Sequence, residues 1–210
     1  MNTKINAEIK ICGLKTVDDV YKINDFPIDY VGFVFAESKR KISKETAVEM
    51  KKALRDDIKV VGVFADMRFS EVREISDYVD LDVIQLHSDE NDSFCGKFKN
   101  KIVWKSISVC EENPEIIAEK YTNADGFILD AYTKDLRGGS GKIFKWKLAE
   151  NFSKKYFTVL AGGLCEENIF AAYEEVKPNV LDLSSSVETN GIKDYNKIKN
   201  LMRRIKNEYK

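Results

Sequence analysis

Apolar residues recur along this chain in short runs, and between the runs the hydrophobic period lengthens from strand-like to helix-like. Eight runs read as strands: Ile9–Cys12, Tyr30–Phe35, Val60–Phe64, Asp82–Leu86, Ile102–Ile107, Gly126–Asp130, Phe157–Leu160 and Val180–Leu183. The stretches between them carry apolar residues at helical spacing: Val17–Ile23, Lys44–Leu54, Ser70–Val79, Asp89–Phe98, Pro114–Tyr121, Phe144–Asn151 and Glu167–Val176, with Tyr195–Lys206 closing the chain. Thr16, Ser43 and Ser70 stand at three helix starts, each followed by acidic residues that suit a helix amino end. This alternation predicts parallel pairing through right-handed crossovers. An open doubly wound sheet and a closed barrel both satisfy that order, and the strand count matches the barrel. The expected fold is α/β, a single (βα)8 TIM barrel over residues 1–210. Such barrels usually take about 200–400 residues, so helices must be brief and loops tight.

Charge narrows the function class. Lys and Arg number 34 against 35 Asp and Glu, a net charge of -1, which gives no electrostatic footprint for nucleic acid or an anionic membrane. No long apolar span and no leader pattern stand out, so a soluble, cytoplasmic protein is expected. Cys12, Cys95, Cys110 and Cys165 are far apart, and the chain has 1 histidine. No metal site is expected from that set, and no disulfide is needed.

A barrel of this type builds its active site at the carboxyl ends of its strands. In Glu8-Ile-Lys-Ile-Cys-Gly-Leu14, Ile9 and Ile11 fall on one face, Lys10 and Cys12 on the other, and Gly13 stops the strand. Cys12 thus faces the cavity, either as reactive chemistry or as a small buried hydrophobe. After strand 2, Arg40 is either a bidentate partner for a substrate carboxylate or part of a solvated basic loop. His87, after strand 4, is either a general base or a packing residue. A Cys12/His87 pair is not expected, because strands 1 and 4 lie far apart in the ring. Asp130, ending strand 6, is either a turn cap or an acid whose pKa a water-poor cavity raises. Strand 8 ends in Asp182 and Leu183. Glycine and serine turns follow strands 6, 7 and 8: Arg137-Gly-Gly-Ser-Gly-Lys142, Gly162-Gly163 and Ser184-Ser185-Ser186. Three such turns on adjacent strands predict a phosphate handle. Trp104 and Trp146 read as packing residues.

Lys10-Ile-Cys-Gly-Leu14, Val31-Gly-Phe-Val-Phe-Ala36 with Ser38 and Arg40, Val61-Gly-Val-Phe64, Ile84-Gln-Leu-His87, Leu129-Asp130, Gly138-Gly-Ser-Gly-Lys142, Leu160-Ala-Gly-Gly-Leu164 and Asp182-Leu-Ser-Ser185 together resemble the phosphoribosylanthranilate isomerases of tryptophan biosynthesis. The motifs occur in that family's order along nearly the whole chain. The resemblance implies a cofactor-free (βα)8 barrel, monomeric or homodimeric, acting on a phosphorylated small molecule. The implied reaction is the Amadori rearrangement of N-(5-phosphoribosyl)anthranilate to 1-(2-carboxyphenylamino)-1-deoxyribulose 5-phosphate. Cys12 matches the general base, Asp130 the general acid, and Arg40 an arginine near the anthranilate carboxylate. His87 and Asp182 fall on matched motifs and are expected to bind substrate. Gly139, Ser140, Gly141, Gly162, Gly163, Ser184 and Ser185 match the phosphate-binding turns.

That chemistry suits these residue types. An acid must protonate the furanose ring oxygen, and a base must then remove the proton that the iminium has acidified at C2. A thiolate can do so if cationic neighbours lower its pKa, and Lys10 shares its strand face. Departures from the family pattern are Ser186 where glycine is common, Ser88 after Gln-Leu-His, Glu37 in place of proline, and Ile143 and Lys145 after the glycine loop. Ser186 puts the backbone geometry of the last turn in question. The histidine-pathway Amadori isomerase fits less well, since it uses an aspartate base and two phosphate sites. A phosphate-binding barrel without activity is a rival of another class.

Overall fold

Every predicted run forms a strand in the computed structural model, which describes residues 5–108, 113–130 and 146–206. The strands are β1 Glu8–Cys12, β2 Tyr30–Val34, β3 Lys59–Phe64, β4 Val83–Leu86, β5 Ile102–Ser108, β6 Gly126–Asp130, β7 Thr158–Ala161 and β8 Val180–Leu183. Each pairs in parallel with the next, and β8 returns to β1 to close the barrel, with Lys10 opposite both Tyr30 and Asp182. Helices α1 Val17–Asn24, α2 Lys44–Ala53, α3 Phe69–Val79, α4 Asp92–Cys95, α5 Pro114–Ala118, α6 Trp146–Ser153, α7 Ile169–Val176 and α8 Tyr195–Lys206 follow the strands in order. The expected (βα)8 barrel is what the chain builds.

Two apolar layers hold it together. Outward residues such as Ile9, Ile11, Val31, Phe33, Leu129 and Leu181 pack under the helices in one continuous core. Inside the ring a second cluster joins Tyr30, Val61, Val83, Trp104, Ile128, Val159 and Val180. Trp104 fills this interior, its ring 5.1 Å from Tyr30 and 5.7 Å from Phe157. Successive inward positions then turn polar toward the carboxyl ends: Val83, Gln85 and His87 on the β4 side, Ile128 and Asp130 on β6, and Val180, Asp182 and Ser184 on the β8 side. The two-residue period of each strand thereby places an apolar plug beneath a polar cavity.

The opposite end of the barrel is stitched by a recurring device. Asp29, Asp82, Asp125 and Asn179 stand just before β2, β4, β6 and β8. Their side chains accept the amides of Ile9, Val60, Val103 and Thr158, each at 2.8 Å. Those four bonds satisfy strand-start donors that would otherwise be buried unpaired.

The structure departs from expectation in places. Thr16 and Ser43 cap their helices, accepting the amides of Asp19 and Thr46 at 3.1 Å. Ser70 does not: α3 starts at Phe69, and Glu71 accepts the Arg68 amide instead. α4 runs only from Asp92 to Cys95 rather than over Asp89–Phe98. Asn91 caps it late, and Gly96 ends it against Asn123, whose side chain lies 2.8 Å from where a Cβ would stand. α5 likewise stops at Ala118. A hairpin that the strand reading did not foresee follows β8, with β9 Glu188–Thr189 antiparallel to β10 Ile192–Lys193. Its turn is Asn190-Gly191, both at positive φ (54° and 75°), the conformation a two-residue hairpin needs.

Candidate active site

Cys12 ends β1, and its thiol points into the barrel because Gly32 on β2 leaves it room. A Cβ on Gly32 would lie 2.6 Å from the Cys12 sulfur. Gly13 then turns the chain at φ 84°, and its missing side chain admits Arg40, whose Cδ would otherwise sit 2.3 Å from a Cβ. These glycines shape the site by what they omit.

Beneath Cys12, two residues earlier on the inward face, Lys10 is fully buried. Its Nζ donates to Asp182 Oδ2 at 2.7 Å across the β1–β8 seam, while Asp182 Oδ1 has no partner. Burial opposes the Lys10 charge, but Asp182 and Cys12 outweigh it and hold the ammonium above its ordinary value. Burial also pushes the Cys12 thiol up, more than Lys10 and Lys193 pull it down. The expectation that Lys10 lowers the thiol therefore holds only in part. Asp182 cancels much of the ammonium's field, and its own charge raises the thiol further.

The hairpin supplies the other charged group at this rim. Arg40 donates from Nε and Nη2 to the two carboxylate oxygens of Glu188, both at 2.8 Å. The bidentate fork foreseen for a substrate carboxylate is thus taken by a residue of the chain itself, and Arg40 is not a solvated loop residue. Lys193 Nζ donates to Glu188 Oε1 at 2.7 Å, to the Cys12 carbonyl at 2.7 Å and to the Ser184 carbonyl at 3.2 Å. Burial works against the Glu188 charge, yet Arg40 and Lys193 hold its carboxyl down to about 2. Burial lowers Lys193 despite Glu188.

Across the cavity, His87 Nε2 lies 3.8 Å from Asp130 Oδ2, linking the end of β4 to the end of β6. Ser184 Oγ donates to the Cys12 carbonyl at 3.1 Å, so this hydroxyl braces β1. Gly162 and Gly163 adopt positive φ (85° and 70°), and space is open around Gly163. Ser186 is not among the residues with positive φ, so serine meets no left-handed strain there. A cavity of about 310 Å³ gathers Cys12, Arg40, His87, Asp130, Gly162, Gly163, Asp182, Ser184 and Ser185 on one wall or another, with Gln85, whose buried Oε1 is unpartnered. Cys12 and His87 share this cavity although β2 and β3 lie between their strands in the ring. Gly139, Ser140 and Gly141, with Cys110, Arg137 and Lys142, lie outside the described residues. Among the described residues no group of three or more His, Cys, Asp or Glu side chains is arranged to hold a metal ion, and no helix is long and apolar enough to cross a membrane.

Residue-by-residue reasoning missed Glu188 and Lys193. One signal existed: Asn190-Gly191 is a strong hairpin signature, and a two-residue turn there sets 188 opposite 193.

Comparison with known proteins agrees with this architecture. The family model for N-(5'-phosphoribosyl)anthranilate (PRA) isomerase matches residues 9–204. An N-(5'-phosphoribosyl)anthranilate isomerase from Endomicrobium trichonymphae is 43% identical over 194 residues, covering 91% of this chain and 94% of that one. Its counterpart from Caldanaerobacter subterraneus subsp. tengcongensis is 37% identical over 200 residues, covering 95% and 98%. Among solved structures, phosphoribosyl anthranilate isomerase from Thermotoga maritima superimposes with a TM-score of 0.86 at 34% identity, over 96% of this chain and 99% of that one. Another such isomerase, solved in complex with reduced 1-(o-carboxyphenylamino)-1-deoxyribulose 5-phosphate, gives 0.84 at 31% identity over the same shares, 96% and 99%. With the family model spanning nearly the whole chain and relatives above 30% identity matched almost end to end, this chain belongs to the N-(5'-phosphoribosyl)anthranilate isomerase family.

Proposed function

We propose that the protein catalyses the Amadori rearrangement of N-(5-phosphoribosyl)anthranilate to 1-(2-carboxyphenylamino)-1-deoxyribulose 5-phosphate, with Cys12 as general base and Asp130 as general acid. The observation that carries the reading is the convergence, in one cavity of a barrel of this family, of a thiol from β1, a carboxylate from β6 and glycine and serine turns after β7 and β8. Asp130 protonates the furanose ring oxygen, the C1–O bond opens, and the anthranilate nitrogen becomes an iminium. Cys12 as thiolate takes the C2 proton, and the electron pair moves to the iminium, giving an enolamine. Loss of the C2 hydroxyl proton and protonation of C1 complete the ketose.

The same cavity suggests how substrate is held. Backbone amides at Gly162, Gly163, Ser184 and Ser185, with Gly139, Ser140 and Gly141, bind the phosphate, whose binding energy positions the reacting carbon. Arg40, fixed by Glu188 through Nε and Nη2, keeps Nη1 for the anthranilate carboxylate. The unpartnered Oδ1 of Asp182 and the His87 ring receive sugar hydroxyls. One domain suffices for all of this, and the protein works without a cofactor in the cytoplasm, as a monomer or homodimer.

The test generates phosphoribosylanthranilate in situ and follows loss of its fluorescence. Decay faster than spontaneous hydrolysis supports the reading. No acceleration, with tight binding of the reduced product analogue, would instead mark a binding barrel without activity.

A further inference from the structure

Lys193 is 2% exposed, and its three N–H bonds are matched by three acceptors. Each acceptor belongs to a different part of the site: the main chain of Cys12, the main chain of Ser184 in the turn after β8, and the Glu188 carboxylate that holds Arg40. Burying an ammonium is costly, and an apolar residue would brace a two-residue hairpin strand as well. A cation at this spot makes sense where three polar elements must share one fixed geometry.

We propose that Lys193 is a positioning residue, which from the β9–β10 hairpin ties Cys12, the turn after β8 and the Arg40–Glu188 pair into one rigid unit and so sets where the thiol stands relative to the phosphate. The inference rests on the function proposed above. It extends that reading to a hairpin outside the eight-stranded ring, whose turn chemistry thereby matters for catalysis. Among the described residues, Lys10 from β1, Asp182 from β8, Lys193 from β10 and Arg40 from the loop before α2 act on the Cys12 thiol, with His87 and Asp130 on the same cavity's wall. Lys193 differs from the others in also holding the Cys12 backbone.

The test compares Lys193→Met, which keeps the stem and removes the ammonium, with Lys193→Arg, which keeps the charge but cannot offer three tetrahedral donors. Rates are measured with phosphoribosylanthranilate. Thiol ionisation is followed by absorbance near 240 nm, as a difference against Cys12→Ser. In Lys193→Met, kcat should fall at least tenfold, and the Cys12 midpoint should rise by about one pH unit, the usual size for losing a nearby opposite charge. In Lys193→Arg the midpoint should return while kcat stays low. Should Lys193→Met not fold, Lys193→Gln, whose amide still satisfies a carbonyl, gives the same readings. A lower Tm with unchanged kcat and midpoint would overturn the inference, as would full kcat in Lys193→Arg. If the wild-type protein shows no turnover, the proposed function fails by itself; an unmoved midpoint in Lys193→Met would still overturn the role of Lys193.

Discussion

Removing one member of the buried Lys10–Asp182 pair should cost far more than removing both. The two groups meet at 2.7 Å inside the barrel, Lys10 fully buried and Asp182 only 9% exposed at the floor of the cavity, so a lone survivor is poorly solvated. Breaking such a pair from one side typically costs about 3–5 kcal/mol, because a bare charge is left in a medium of low polarity. Replacing both by well-packed apolar residues of similar volume is often nearly neutral. At roughly 2–4 °C per kcal/mol for a chain of this size, Lys10→Met and Asp182→Leu should each lower Tm by about 6–20 °C. Lys10→Met/Asp182→Leu should recover most of that loss. Circular dichroism melts and urea titrations of the four proteins close the double-mutant cycle. Additive losses, or single losses under about 1 kcal/mol, would refute the reasoning: the pair would then be solvated or uncoupled. The stable double variant should still lose activity, because Cys12 and the sugar lose the groups beneath them.

Three further outcomes follow from the same geometry. The Cys12 thiol, buried and only partly offset by Lys10 and Lys193, should titrate above its ordinary value of 9.0 by difference absorbance against Cys12→Ser, and a midpoint below that value would show that cations dominate. Glu188, held to about 2 from an ordinary 4.5, stabilises the fold above pH 4.5 by roughly 3 kcal/mol, a contribution lost as pH falls from 4.5 toward 2. Glu188→Gln should flatten stability over that window in urea titrations, and an unchanged acid limb would contradict the ion pair's weight. Gly32→Ala should overpack the thiol, with the new Cβ 2.6 Å from sulfur, costing about 1–3 kcal/mol and at least tenfold in kcat. A Cys12→Ala background should recover most of the stability, and no recovery would place the strain elsewhere.

The ring was legible because it is written locally. Eight apolar runs at strand period, with helix-period segments between them, leave few topologies open. Inward–outward alternation even told which face of β1 carries Cys12. What could not be read is what the closed ring brings together. Lys10 meets Asp182 from 172 positions away, and Arg40 meets Glu188 from 148. No periodicity records such pairings. Lys10 does pull the thiol down, as its place on the same strand face implies, but the burial that outweighs it, and the Asp182 charge that adds to that burial from the far end of the chain, exist only in the closed ring. The hairpin was different: Asn190-Gly191 announced it, but two-residue strands fall below the length at which alternation can be seen. The helix expected over Asp89–Phe98 forms only as the short α4, because Gly96 and the contact with Asn123 end it although the helical pattern continues past them.

The most direct test of the central claim is single-turnover fluorescence decay of phosphoribosylanthranilate with wild type, Cys12→Ala and Asp130→Asn, alongside calorimetric binding of the reduced product analogue to each. Rapid decay is expected with wild type, decay at the spontaneous rate with either variant, and analogue affinity within a few-fold of wild type in all three. Turnover by Cys12→Ala near the wild-type rate, with binding intact, would contradict that claim, since the proton at C2 would then be leaving to another base.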